Sequence, residues 1–213
     1  MNRTVVFDLD GTLIDSKGVM LQAFTVAHRK EVGEGQPPLE GFLNLLGDSF
    51  TNILTQLRLP QSMDGVFRSE SIKHSGDIML HPGVMEMCLQ LQKMFITMGI
   101  QTGKDGERVS ALLHRLSVGR FFEVVVTGSD NIAPKPSPDG LNWICGQLRA
   151  SPSSTFYLGD SPYDMKAAVA AGVRAIGCSW GIAPPDELMG SGAEYIVESP
   201  QEFVELVRTD QCC

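Results

Sequence analysis

The sequence predicts an α/β fold: a Rossmann-like parallel sheet with helices on both faces, interrupted by an inserted all-α helical cap domain. Three observations lead there. An apolar, β-branched run, Val5-Val6-Phe7, ends directly in Asp8-Leu9-Asp10-Gly11-Thr12. From Asp15 to about residue 78, apolar residues recur at helical spacing without a strong strand pattern. Beyond His81-Pro82-Gly83, apolar runs alternate with amphipathic stretches. That alternation is what strand–helix–strand crossovers produce, and such crossovers build parallel sheets covered on both faces.

Taken in order, residues 3–9 read as a first strand, continuously apolar because both faces are buried. Met20, Phe24 and Ala27 then follow helical periodicity, as do Phe42, Leu45 and Leu46. The Gly-Glu-Gly-Gln-Pro-Pro stretch at 33–38 and Leu59-Pro60 break this region into about four helices. His81-Pro82-Gly83 turns the chain back. Strands follow at 95–101, 123–127, 155–158 and 173–178, with helices near 84–93, 105–117, 137–149 and 162–171. The expected division is a core of residues 1–14 and 83–213 and a cap of 15–82. No internal repeat or low-complexity tract is visible.

Composition narrows the function. A chain of 213 residues, 43% hydrophobic and 20% charged, is of a size and makeup for one packed core with a smaller insertion. The net charge of −8, with no offsetting basic cluster, argues against a nucleic-acid partner. No apolar run reaches membrane-spanning length. The first strand begins too early to leave room for a secretory leader. Five scattered cysteines form no CxxC pair, so neither a zinc site nor a disulfide framework is expected. Cys212 and Cys213 read as frayed, reduced thiols, and the simplest compartment is the cytoplasm. Monomer and homodimer both remain open, an exposed apolar patch being the route to the latter.

Four polar clusters each follow an expected strand, which would gather them on one edge of the sheet. Asp8 and Asp10 follow the first; Thr102-Gly103-Lys104-Asp105 follows the second; Lys135 lies in the loop after the third; Gly159-Asp160-Ser161-Pro162-Tyr163-Asp164 follows the fourth. Carboxylates crowded at a strand end repel unless a cation, a proton or a reacting group lies between them. Asp-X-Asp-Gly also occurs in calcium loops, but there further oxygen ligands follow, whereas here Leu13 and Ile14 do. Chemistry assigns the roles. Asp8 is the candidate nucleophile, since a carboxylate can form an aspartyl-phosphate. Asp10 is placed to protonate the leaving oxygen and later to activate water. Asp8 and Asp160, with the Asp10 backbone carbonyl, are the expected ligands of Mg²⁺. The Thr102 hydroxyl and Gly103 amide would bind phosphate oxygens, aided by a helix N-terminus nearby. Lys135 would neutralise the transferring phosphoryl group and Asp8. Asp164 would orient Lys135 or a metal-bound water from behind.

This order of motifs resembles the haloacid-dehalogenase-like superfamily over essentially the whole chain. The position of the insertion is similar to that family's first type of cap. Lys135-Pro136-Ser137-Pro138 and Ser179-Trp180-Gly181 resemble the phosphoglycolate-phosphatase-like branch. Asp15-Ser16, Met20, Ala23-Phe24, Leu46-Gly47, Leu59-Pro60 and His81-Pro82-Gly83-Val84 look like the phosphatases of aminoshikimate-type pathways. Those pathways supply 3-amino-5-hydroxybenzoate to ansamycin-type antibiotics. The resemblance implies a Mg²⁺-dependent phosphatase of a small phosphorylated metabolite: phosphoglycolate, a sugar phosphate or an amino-sugar phosphate. Dehalogenases of this fold lack a second carboxylate at the Asp10 position, so Asp10 argues against that chemistry. Phosphoglucomutase-type members share every core motif and stay as the alternative. A non-catalytic binding protein would show decay in at least one motif, and none has decayed. Cap cations Arg29, Lys30, Arg58, Arg68, Lys73 and His74 are candidates for contacting the leaving group, with Arg58 and Arg68 favoured. Gly47-Asp48-Ser49 is expected to be a cap loop facing the core.

Overall fold

A computed structural model describes residues 3–209. Cys212 and Cys213, expected to be frayed thiols, lie outside the described residues. The first strand, β1 (Thr4–Phe7), is entirely buried. A two-residue strand, β2 (Ile14–Asp15), leads into four helices: α1 (Lys17–Glu31), α2 (Leu39–Asn44), α3 (Phe50–Gln56) and α4 (Met63–Lys73). A second short strand, β3 (Met79–Leu80), pairs antiparallel with β2. Leu13 O also accepts from the His81 amide at 3.0 Å. The two chain crossings between sheet and inserted helices therefore run side by side, stitched to each other. Periodicity had no means of showing this ribbon, because two residues carry no period.

The remainder alternates as expected: α5 (Val84–Lys93), β4 (Thr97–Gln101), α6 (Gly106–Arg115), β5 (Val124–Val126), α7 (Asp139–Leu148), β6 (Thr155–Gly159), α8 (Pro162–Ala171) and β7 (Arg174–Cys178). Where the sequence analysis places no element, beyond residue 178, the structure adds α9 (Pro185–Gly190), β8 (Tyr195–Val197) and α10 (Pro200–Thr209). Six strands form one parallel sheet in the order β5-β4-β1-β6-β7-β8. Among the described residues no helix is long and apolar enough to cross a membrane.

Strand alternation divides the core into two layers. Val5 and Phe7 face one side with Met98, Ile100, Phe156 and Leu158, under residues of α5, α6 and α10. Val6, Tyr157 and Ala175 face the other, under α7 and α8. The inserted helices hold a third cluster of their own, in which Phe24 stacks on Phe42 at 4.2 Å and Phe50 on Phe67 at 4.0 Å. Ile182, from the loop after β7, packs against that third cluster and ties it to the sheet edge.

β1 is the pivot: β4 lies on one side of it and β6 on the other, and the chain runs outward from there in both directions. In open parallel sheets such a reversal leaves a crevice beyond the carboxyl ends of the strands. Phe7 anchors this pivot, fully buried and edge-on to Phe122 and Phe203 at 6.0 Å each. Phe7→Ala is expected to cost about 3–5 kcal/mol, through lost burial and the cavity left behind. Urea unfolding checks this as a lowered midpoint at unchanged slope.

Candidate active site

The crevice collects the polar residues that the sequence marks. Asp8 leaves β1 with its amide donating to Leu158 O at 2.9 Å, so the β1–β6 ladder fixes its position. Thr102 leaves β4 with its amide on Val126 O at 2.9 Å. Asp160 follows β6 directly. Three neighbouring strand ends thus carry one of the marked residues each.

Asp160 is packed between two glycines. A Cβ at Gly11, whose φ is +89°, would lie 2.1 Å from Asp160 Oδ2, and a Cβ at Gly181 would lie 2.1 Å from Asp160 Cβ. No other residue type permits that approach. The Asp160 carboxylate is then held by the Ile182 amide on Oδ2 at 2.9 Å and by the Thr12 hydroxyl near Oδ1 at 3.4 Å.

Lys135 links two of the carboxylates. Its ammonium donates to Asp8 Oδ1 and to Asp164 Oδ1, both at 2.6 Å, and all three residues are buried. Asp164 is fully engaged: Oδ1 also accepts from the Tyr157 hydroxyl at 2.9 Å. Oδ2 accepts from the Ser161 amide at 3.0 Å and hydroxyl at 2.6 Å. Ser161 and Asp164 form a capping box at the start of α8, so the helix terminus itself fixes the aspartate behind Lys135.

Oxygens of Asp8, Asp160 and Asp164 lie within 4.8 Å of one another. The electrostatic consequence is large. Burial raises the Asp8 pKa, Lys135 opposes it, and Asp164 and Asp10 add repulsion, leaving Asp8 at about 7. Burial likewise pushes Asp160 well above its ordinary value, reinforced by Asp8 and Asp164. Burial alone would lower Lys135, but Asp164 and Asp8 override it and hold the ammonium firmly protonated. Three buried carboxylates share one ammonium, so the cluster is short of positive charge. An all-oxygen donor set with excess negative charge fits a hard divalent cation. Because Asp164 is already saturated, Asp8 and Asp160 are the side chains with capacity to hold one.

The Asp10 carboxylate stands outside this group. Its Oδ1 accepts from the Ser16 hydroxyl at 2.5 Å and pairs with Lys104 Nζ at 3.1 Å. A metal role for Asp10 would therefore fall to its backbone carbonyl.

Asp8, Asp10, Thr102, Gly103, Lys135 and Asp160 all line one small cavity. The inserted helices form its roof, with the Gly47-Asp48 loop closing on the core. A Cβ at Gly103 would lie 3.2 Å from Asp48 O, and one at Gly47 would lie 2.5 Å from Ser161 Oγ. Two expectations change here. The start of α6 is not an open anion seat, since the Arg108 amide donates to Asp105 Oδ1 and the Gly106 amide to Ser129 Oγ. None of the six cap cations lines the cavity; the cationic residues that do, besides Lys135, are Lys104 and Arg108 from the core. Sequence reasoning placed Lys104 in the polar cluster after the second strand without giving it a role, and passed over Arg108, whose only signal was its +6 spacing from Thr102 at the start of a helix.

Comparisons with known proteins agree with this fold. Residues 5–178 match the family described as haloacid dehalogenase-like hydrolase. Pyrophosphatase PpaX of Listeria monocytogenes is 26% identical over 212 residues, spanning 98% of this chain and 97% of that protein. The phosphoglycolate phosphatase of Pseudomonas syringae pv. syringae is 31% identical over 194 residues, spanning 84% of this chain and 70% of its own length. A hydrolase from Pseudomonas syringae has the same fold at a TM-score of 0.88, with 22% identity and coverage of 98% and 99%.

Removing Asp164 would leave Lys135 with Asp8 alone and strand the Tyr157 hydroxyl and the cap of α8. Asp164→Ala is expected to destabilise the protein by about 1–3 kcal/mol, the cost of leaving buried donors unsatisfied. Asp164→Asn, which keeps one acceptor oxygen, should cost less, and denaturant titration of both variants checks the order.

Proposed function

Because the chain belongs to the haloacid dehalogenase-like hydrolase family, we propose that it is a Mg²⁺-dependent phosphatase of a small phosphorylated metabolite, working through an aspartyl-phosphate on Asp8. One observation supports the reading: Asp8, Asp10, Thr102, Gly103, Lys135 and Asp160, the residues this chemistry would need, line a single cavity at the sheet's switch point. Residues 15–82 act as the cap and set specificity, on a catalytic core formed by 1–14 and 83–213.

The steps follow from the contacts. Lys135 offsets the charge on Asp8 and on the incoming phosphate, so that two anions can meet. An Asp8 carboxylate oxygen bonds to phosphorus while the bond from phosphorus to the leaving oxygen breaks. Protonated Asp10 gives its proton to that oxygen. Asp10, now a carboxylate, accepts a proton from water as the water oxygen attacks the phosphorus of the acyl phosphate. The bond from phosphorus to the Asp8 oxygen then breaks, releasing phosphate and restoring both aspartates. Ser16 and Lys104 hold Asp10 in place, and the Thr102 hydroxyl and Gly103 amide bind the phosphate oxygens. Asp8, Asp160 and the Asp10 carbonyl would hold Mg²⁺, which when bound would supply the remaining positive charge for the phosphate. Cap closure excludes bulk water during the first transfer.

Phosphate release from an aryl phosphate and a panel of metabolite esters, with Mg²⁺ and with a chelator, tests the reading. Release should require Mg²⁺. Asp8→Asn should abolish turnover while thermal unfolding shows a folded protein; retained turnover would rule Asp8 out as nucleophile. Asp10→Asn should slow both transfers and remove one limb of the pH–rate profile. An unaltered profile would take the acid–base role from Asp10.

A further inference from the structure

A second cavity adjoins the catalytic one from the side. It encloses about 360 Å³, against about 60 Å³ for the catalytic cavity, and Thr102, Gly103 and Lys135 line both. Those three residues would hold the phosphate, so its seat is a wall common to the two cavities. Asp8, Asp10 and Asp160 line the catalytic cavity alone.

One core turn and one cap loop form the partition. The core turn follows β4, where the Lys104 amide donates to Thr102 Oγ1 at 3.1 Å. The cap loop leads into α3: Gly47 and Asp48 line the catalytic cavity, whereas Ser49, Thr51 and Asn52 line the side cavity. Turn and loop meet backbone to backbone. A Cβ on Gly103 would lie 3.2 Å from Asp48 O and 3.9 Å from Gly47 O. Among the described residues no hydrogen bond joins Gly103 to Asp48, so this seam is a packing contact that can part without breaking one. The loop is anchored to the cap instead. The Asp48 carboxylate accepts from the Ser49 amide at 2.6 Å, Asn52 Nδ2 at 2.9 Å and Gln56 Nε2 at 3.0 Å. It therefore moves with α3, and a small shift of the cap opens the seam.

Charge separates the two cavities. Four aspartates line the catalytic one, Asp8, Asp10, Asp48 and Asp160, together with an apolar cap wall that includes Phe42, Phe50 and Phe67. Among the described residues lining the side cavity, Lys135 is the only charged one. The others present hydroxyls, amides and small apolar groups. Ser49 Oγ accepts from the Asn52 amide at 3.3 Å, which leaves its own hydrogen to donate. A phosphate leaving past the cap would run along carboxylates and an apolar wall. Towards the side cavity it meets a cation, neutral donors and no like charge.

We propose that the side cavity is the exit for inorganic phosphate, which leaves between Gly103 and Asp48 and past Ser49, whereas the leaving group departs from under the cap. The inference rests on the phosphatase reading and adds a second site, for a free anion, beside the catalytic one. Asp10 does not line the side cavity, so a leaving group protonated there has no direct way into it. The two products thus take two routes.

The test narrows the side cavity at Thr51 and Ala133, which line it, are exposed and do not line the catalytic cavity. Wild-type protein, Thr51→Trp and Ala133→Leu are each loaded with Mg²⁺ and inorganic phosphate, then mixed with a fluorescent phosphate-binding sensor. The sensor signal gives the exit rate directly. In the variants it should fall about 5-fold or more, as expected where a passage gates product release. The inhibition constant of added phosphate should not change, because a narrowed passage slows entry and exit alike, whereas damage to the seat would alter it. The first transfer, read as phenol released from an aryl phosphate in one turnover, should keep its wild-type rate. Thermal unfolding checks that each variant is folded, and either one suffices. An unchanged exit rate would overturn the proposal and send phosphate out under the cap. A slowed first transfer, or an altered inhibition constant, would overturn it as well, by making these positions part of the seat or of the leaving-group site. No phosphate released from an aryl phosphate or any metabolite ester by wild-type protein would instead overturn the phosphatase reading itself, and this proposal with it.

Discussion

One buried ammonium organises the catalytic edge of this molecule. Lys135 Nζ lies 2.6 Å from both Asp8 and Asp164, and neither carboxylate could be buried as an anion beside the other without it. Each partner is fixed by a different element. Asp8 continues β1, Asp164 closes the capping box of α8, and Tyr157 reaches Asp164 from β6. The ion cluster thus locks strand, helix and loop into one geometry. Burial, reinforced by the neighbouring carboxylates, raises the pKa values of Asp8 and Asp160, and an all-oxygen donor set of this kind fits a hard divalent cation.

Around that cluster the cavity is divided by physics as well as by chain segment. Its floor is polar and comes from strand ends, where the parallel sheet presents amides, carboxylates and a lysine to the crevice. The roof is apolar and comes from the inserted helices, whose aromatic cluster extends into the cavity wall through Phe42, Phe50 and Phe67. Arg108 is where the two regimes meet: rooted in a core helix, stacked on a cap ring, and clamped by an aspartate that a cap arginine shares.

Much of this was legible beforehand. The Val5–Phe7 run, the strand–helix alternation after residue 83 and the helical spacing before it foretold the parallel sheet and the inserted helices. The polar clusters at strand ends foretold which residues converge, because a parallel sheet puts all its carboxyl ends on one edge. The β2–β3 ribbon escaped notice because it is too short to have a period. Substrate recognition by cap cations was the natural expectation from residue type. Arg29, Lys30, Arg58, Arg68, Lys73 and His74 nonetheless lie outside the cavity lining; Arg68 is engaged instead by Asp64 of α4 and by Asp105 at the start of α6, and His74 lies beside Glu70 of α4.

The sequence by itself determined the fold class, the strand–helix alternation between residues 83 and 178 and the identity of the residues at the sheet edge. These depend on local periodicity and on the rule that parallel strands put their carboxyl ends on one edge. Only the tertiary structure decided which charges neutralise which, that Asp160 sits between Gly11 and Gly181, and that Arg108 Nη1 is left without a partner. Pairing, close approach and desolvation are properties of groups brought together from distant parts of the chain, and no spacing along one segment encodes them.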